Sequence, residues 1–164
     1  ARAAISAQTG EPELVAALEL ARAHLERGEP AARFAAALGQ GDGVTGYVHH
    51  TVPVALYCWL YGPDDVRGTV ERAVRLGGDT DTVAAIAGGL AGAWAGARAV
   101  PAEWLTGMWE APRSVAWIRR LAARLANAPH AGPLALCWPL LVPRNLLFTA
   151  IVLGHGLVRM FARR

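Results

Sequence analysis

Lysine is absent: every one of the 16 basic residues is arginine, set against 13 acidic residues for a net charge of +3. The arginines are scattered until the C-terminus, so a nucleic-acid-binding surface is not indicated. With the abundant Ala and Gly, they point to a GC-rich coding background more than to a phosphate-binding design. Cysteine is scarce, with only Cys58 and Cys137, each inside an apolar run. Buried free thiols suit that setting better than a disulfide and agree with a reducing compartment. Charged residues make up 18% and hydrophobic residues 54%, which excludes a disordered chain. The five histidines show no metal-ligand spacing on a common helix face. No signal peptide is recognisable, and the opening at Ala1 rather than Met reads as a truncated start. At 164 residues, one domain with its own core is expected.

Against that background one stretch stands out, Leu76-Gly77-Gly78-Asp79-Thr80-Asp81-Thr82 followed by the small-residue run Val83 to Trp94. Gly77 and Gly78 permit a sharp turn. Asp79 to Thr82 are helix-capping residue types, and the Ala/Gly run predicts a helix able to pack backbone-close. A single acid would satisfy the positive end of that helix. Two carboxylates and a hydroxyl form a cluster of hard oxygen donors suited to Mg²⁺ or Ca²⁺. By spacing alone, a doubled cap without metal is the somewhat favoured reading, because short D-x-D patterns are common and weak motifs.

The string G-G-D-T-D-T with its small-residue helix resembles the ADP-ribosylglycohydrolase family, which includes dinitrogenase-reductase-activating, ADP-ribosylarginine and ADP-ribosylserine hydrolases. Three further pieces agree in order and spacing. Gly41-Asp42-Gly43-Val44-Thr45-Gly46-Tyr47, followed by Thr51-Val52-Pro53-Val54-Ala55-Leu56-Tyr57, is similar to the family's glycine-rich ligand loop and the helix after it. An acid-capped helix, Asp64 to Leu76, leads into the motif, and Val100-Pro101-Ala102-Glu103-Trp104-Leu105 resembles the family's V-P-x-x-W element. The resemblance covers residues 30 to 126 or so.

It implies an all-α, compact multi-helix bundle holding a pair of Mg²⁺ ions in a cleft. It also implies cleavage of the bond between ADP-ribose and a protein side chain or related acceptor. Asp79, Asp81 and Thr82 would then be metal ligands, and Gly41, Gly43, Val44, Thr45, Gly46 and Tyr47 would line the ADP-ribose pocket. Composition alone reads that loop as an ordinary connection, and Tyr47 beside a helix as a core aromatic. The family's second ligand cluster, a Thr/Ser-Asp-Asp triplet before the loop, has no counterpart here. Asp64-Asp65 is the one Asp-Asp pair, and it follows the loop and reads as a helix start. The expected organisation is therefore an incomplete bundle. Residues 1–126 form the C-terminal part of such a domain, and residues 127–164 a hydrophobic extension.

Taken in order, residues 1–10 read as a polar lead-in, and Thr9-Gly10-Glu11-Pro12 as the start of a helix with Pro12 in its first turn and Gly28 as its stop. Its apolar stripe is Leu14, Leu18, Ala21 and Leu25. Pro30 to Leu38 is a second, short helix. Thr51 is a plausible cap for a buried helix with Pro53 in its first turn, and His49 and His50 receive no catalytic role. From Asp64 the next helix should turn Val66, Val70, Ala73 and Val74 inward and Arg67, Glu71, Arg72 and Arg75 outward. Residues Arg113 to Asn127 form an amphipathic helix with Val115, Ile118, Leu121, Ala122 and Leu125 on one face.

In the tail, Pro143-Arg144-Asn145 is expected to break two apolar runs, leaving the second short of the roughly 20 residues a membrane span needs. A helix packed on the domain or on a second subunit ranks first there. Attachment at a membrane surface through residues 133–161, with Arg159, Arg163 and Arg164 at the headgroups, ranks second. A true span ranks third. The chain is otherwise expected to be cytoplasmic, with an ADP-ribosylated protein or ADP-ribose-containing small molecule as partner and no nucleic acid. The competing functional reading is a catalytically inactive remnant that serves as a binding or membrane-associated module.

Overall fold

The computed structural model describes residues 12–108, 110–127 and 132–162, so the lead-in over residues 1–10, Arg163 and Arg164 lie outside the described residues. The described residues are all-α, as expected: the contact between strand-like segments is a lone bridge, not a sheet. The chain divides into two compact units, one ending at Pro101 and the other opening at Ala102.

The first unit comprises α1 (Pro12–Glu26), α2 (Ala31–Ala37), α3 (Val48–Leu60), α4 (Val66–Arg75) and α5 (Thr80–Ala95). Helix α5 packs on α4 and α3, and α3 also packs on α1 and α2. α5 can approach closely because its inward positions are Val83, Ala87 and Ala91, spaced one turn apart and fully enclosed. Phe34, Val54, Tyr57, Cys58 and Val83 form the centre of the core. There the Phe34 and Tyr57 rings stack at 4.5 Å, and the Tyr57 hydroxyl donates to the Glu29 carbonyl.

Several expectations shift. On α1 the enclosed residues are Ala17, Ala21 and His24; of the expected stripe Ala21 is buried and Leu25 packs partly buried on the core, whereas Leu14 and Leu18 are only partly covered. Small alanines let α1 close on α3, while Leu18 and Leu25 flank a groove of about 570 Å³ shared with Leu56 and Leu60. Helix α3 starts at Val48, because the Tyr47 carbonyl already accepts from the His50 and Thr51 amides at 2.9 Å. Pro53 is thus interior, and Thr51 is buried rather than a cap. On α4, Val74 is half exposed and Thr69 occupies the core in its place. Arg72 does not face water: its Nε donates to the Cys58 carbonyl at 3.2 Å and its guanidinium lies 5.4 Å from the Tyr61 ring centre. Asp65 caps α4 by accepting from the Gly68 amide at 2.8 Å, and Asp64 accepts from Trp94 Nε1 at 3.1 Å. Both acids of the pair are accounted for structurally. Cys58 is buried, which pushes its thiol up to about 11, whereas Cys137 is exposed, against expectation.

The second unit holds α6 (Ala102–Gly107), α7 (Val115–Asn127) and α8 (Leu141–Ala162), the last entered through a 3-10 turn at Trp138–Leu140. No residue of α7 is fully enclosed, and Ile118 and Leu125 of its apolar face are about half exposed or more. Pro143 does not break the tail. It sits in the first turn of α8, where a missing N–H removes no helical hydrogen bond. The result is a continuous apolar stretch, Trp138–Phe161, of 24 residues and mean hydropathy 1.5. By length and composition it could cross a membrane, and none of it is buried.

Candidate functional site

The loop and the acidic turn, 34 residues apart in sequence, meet at a parallel bridge between Val44 and Gly78. The Val44 amide donates to the Gly77 carbonyl at 3.1 Å, and the Asp79 amide donates to the Val44 carbonyl at 2.7 Å. Two consecutive left-handed residues, Gly77 (φ 75°) and Gly78 (φ 76°), make this crossing possible. A Cβ on Gly78 would overlap the Val44 carbonyl oxygen, and one on Gly43 would come within 2.9 Å of the Gly78 nitrogen. Val44, with 1% of its surface exposed, is the plug that anchors the loop to the core.

Past the bridge the chain presents its acids. Asp79 is the N-cap residue of α5, yet its side chain makes no capping bond. Instead Asp79 Oδ1 accepts from Thr82 Oγ1 at 2.8 Å. Asp81 is held below the usual carboxylate range, first by its hydrogen bond with the Asp79 carboxyl and then by the backbone N–H groups of Thr82 and Asp81. Asp79, Asp81 and Thr82 therefore converge on one turn, with Asp81 and Thr82 exposed. This donor set, two carboxyls and a hydroxyl, fits a hard cation and offsets the positive helix end behind it. It is a partial set: among the described residues no cluster of three or more His, Cys, Asp and Glu could hold a metal ion.

Of the loop residues, Gly46 is brought to the acids, since a Cβ there would stand 2.9 Å from Asp79 Oδ2. Gly41 instead lies over Ala36. Tyr47 is exposed rather than core, and its hydroxyl donates to Glu13 Oε2 at 3.2 Å. His49 Nδ1 meets the same Glu13 oxygen at 2.9 Å, and this hydrogen bond is the main cause holding Glu13 below the usual carboxylate range. Thr45 Oγ1 and His50 Nδ1 are 2.8 Å apart. The loop backbone is fixed by two buried side chains, Gln40 and Thr51. Gln40 Oε1 accepts from the Thr45 amide at 3.0 Å, and Thr51 Oγ1 donates to the Thr45 carbonyl at 2.9 Å. Neither Glu13 nor Gln40 carries a local signal of such a role.

Comparison with known proteins identifies the family of the chain. The profile of the ADP-ribosylglycohydrolase family matches residues 1–133. ADP-ribosylhydrolase ARH3 of Bos taurus and that of Homo sapiens are each 38% identical over 74 aligned residues, covering 39% of this chain and 20% of the relative. The Danio rerio protein of the same name is 36% identical over the same shares. The match thus spans about a fifth of the length of these relatives. No solved structure matches the chain significantly. With the family profile extending over most of its length, the chain belongs to the ADP-ribosylglycohydrolase family.

Proposed function

We propose that this chain contributes the acidic metal-ligand turn and part of the ligand pocket of a Mg²⁺-dependent ADP-ribosyl hydrolase. Residues 1–126 are the C-terminal part of the catalytic domain in this reading, and the bond cut joins ADP-ribose to a protein side chain or related acceptor. The observation that carries the reading is the Val44–Gly78 bridge, which seats Gly46 of the glycine-rich loop against the Asp79 carboxylate. Asp79, Asp81 and Thr82 would hold the cation. When bound, Mg²⁺ supplies positive charge that orients ribose hydroxyls and polarises a water. The residues of the chain do the rest. The exposed loop residues Thr45, Gly46 and Tyr47 line the ADP-ribose pocket, with the Tyr47 ring on the open side to stack against base or ribose. Departure of the leaving group develops oxocarbenium character at the ribose, and two nearby carboxylates match that charge.

The test is a titration of the chain with Mg²⁺ and then ADP-ribose, followed by amide NMR. Because the donor set is partial, weak Mg²⁺ binding is expected, with a Kd on the order of 10⁻³ M as in the weaker oxygen-ligand sites. Shifts should centre on Asp79 to Thr82 and vanish in the Asp79→Asn, Asp81→Asn double variant. ADP-ribose should then shift Val44 to Tyr47. No response at either place removes the enzymatic reading.

A second reading, the binding or membrane-associated module, draws on one feature, the unbroken apolar helix with no part buried. An amphipathic surface helix would show a polar face, whereas Leu147, Phe148, Ile151, Val152 and Leu157 are all half exposed or more. In this reading the chain floats with vesicles of phosphatidylcholine and phosphatidylglycerol, and Leu147→Arg with Ile151→Arg abolishes flotation. A chain that stays in the dense fraction excludes it.

A further inference from the structure

We propose that Gln40 and Thr51 are positioning residues: their enclosed side chains clamp the Thr45 backbone from both sides and so fix Gly46 against the Asp79 carboxylate. The inference rests on the reading of the loop as a ligand loop. It begins with an oddity of placement. Gln40 and Thr51 are buried, with 7% and 2% of their surfaces exposed, while Thr45 between them is exposed. Buried polar side chains need hydrogen-bond partners, and most find them in backbone groups or water. These two reach outward to the same solvent-facing residue, Gln40 Oε1 taking its N–H and Thr51 Oγ1 giving to its C=O.

Both clamps are themselves anchored. The Gln40 amide donates to the Ala35 carbonyl at 2.7 Å, and its carbonyl accepts from the Gly43 amide at 3.3 Å, so α2 holds one end. Thr51 lies within α3. Its hydroxyl does not fold back on the carbonyl one turn earlier in its own helix, the usual habit of a helical threonine. It crosses to a carbonyl six positions earlier, in the loop. On the other side of Thr45, the Val44 amide and carbonyl are engaged by Gly77 and Asp79. Every backbone polar group from Val44 to Thr45 is therefore assigned before Gly46 begins. The loop meets a ligand already shaped, and the ordering entropy of those residues is not lost again on binding.

The test uses the full chain and two near-isosteric variants, Gln40→Met and Thr51→Val, each deleting one clamp with little change of volume. The amide to watch is that of Asp79, which bonds Val44 and touches neither altered side chain. Its hydrogen exchange should rise about tenfold in each variant, the factor expected for one lost hydrogen bond. The Val54 to Cys58 amides in the core should stay unchanged, and Thr51→Ser should restore the slow rate. In the same samples, ADP-ribose with Mg²⁺ should shift residues Val44 to Gly46 less in the variants than in the parent. Unchanged Asp79 exchange overturns the clamp, as does an equal rise across Val54 to Cys58, which would make both residues ordinary core. The failures are separable. A parent loop that ignores ADP-ribose while Asp79 still loosens in the variants refutes the ligand reading alone.

Discussion

Gly78→Ala should detach the ligand loop from the acidic turn and cost about 3 to 4 kcal/mol of local stability. Part of that cost is conformational: at φ 76° an L-residue is disfavoured by about 1 to 2 kcal/mol. The rest is steric. The new methyl group would overlap the Val44 carbonyl oxygen, so the bridge must open. Opening it forfeits the bonds from Val44 N–H to Gly77 and from Asp79 N–H to Val44, each contributing about 1 kcal/mol. Gly77→Ala is the control. Its φ is 75°, but the nearest atom to a new Cβ is the Gly43 Cα at 3.9 Å, so it should cost the conformational share alone. Hydrogen exchange at Val44 and Asp79 separates the two variants, and Mg²⁺-induced shifts at Asp79 to Thr82 should weaken only in Gly78→Ala. Equal losses in both would mean that the overlap with Val44 does not govern the site.

How much of this was legible beforehand depends on whether the determining contact is local. The acidic turn was legible in part: Gly-Gly before a small-residue run is a self-contained helix signal, but α5 begins at Thr80, ahead of the run from Val83, and the Asp79 side chain makes no capping bond. The order of helices in the first unit was legible for the same reason. The bridge that gives the turn its partner was not. It joins single residues of two loops and so leaves no periodic trace in either. Thr51 shows how a local signal misleads. A threonine two residues before a proline reads as a helix start, yet α3 had already begun at Val48 and the hydroxyl was recruited by a distant carbonyl.

Size complementarity accounts for other differences. On α1 the expected stripe is met at Ala21 and partly at Leu25, and close approach to α3 centres the buried face on Ala17 and Ala21 rather than on Leu14 and Leu18. Charge alone places Arg72 in solvent, although its long side chain can cover the Tyr61 ring while its head bonds the Cys58 carbonyl. In the tail, proline signals a break only where it falls inside a helix. In the first turn of α8 it is compatible with the helix, and the two apolar runs join.

The core that supports the site has its own point of greatest leverage at Phe34. Its side chain is fully enclosed, stacked on Tyr57 with an interplanar angle of 13° and met edge-on by His24 at 5.8 Å. Phe34→Ala removes the ring from between α1 and α3 and should cost about 3 to 5 kcal/mol. That is a large share of the roughly 5 to 15 kcal/mol that keeps a domain folded. The loss is best read as the opening free energy of the Val54 to Cys58 amides, which needs no assumption that the two units unfold together. Phe34→Leu, which keeps most of the volume but loses the stack, should fall between parent and Ala. The loop hangs from this same core through Gln40, whose amide is held by Ala35 next to Phe34. Phe34→Ala should therefore also speed exchange at Thr45, whereas Gln40→Met should leave Val54 to Cys58 untouched. A loss below about 1 kcal/mol in Phe34→Ala would show that the neighbours close over the gap, and the stack would no longer explain how α2 is held on α3.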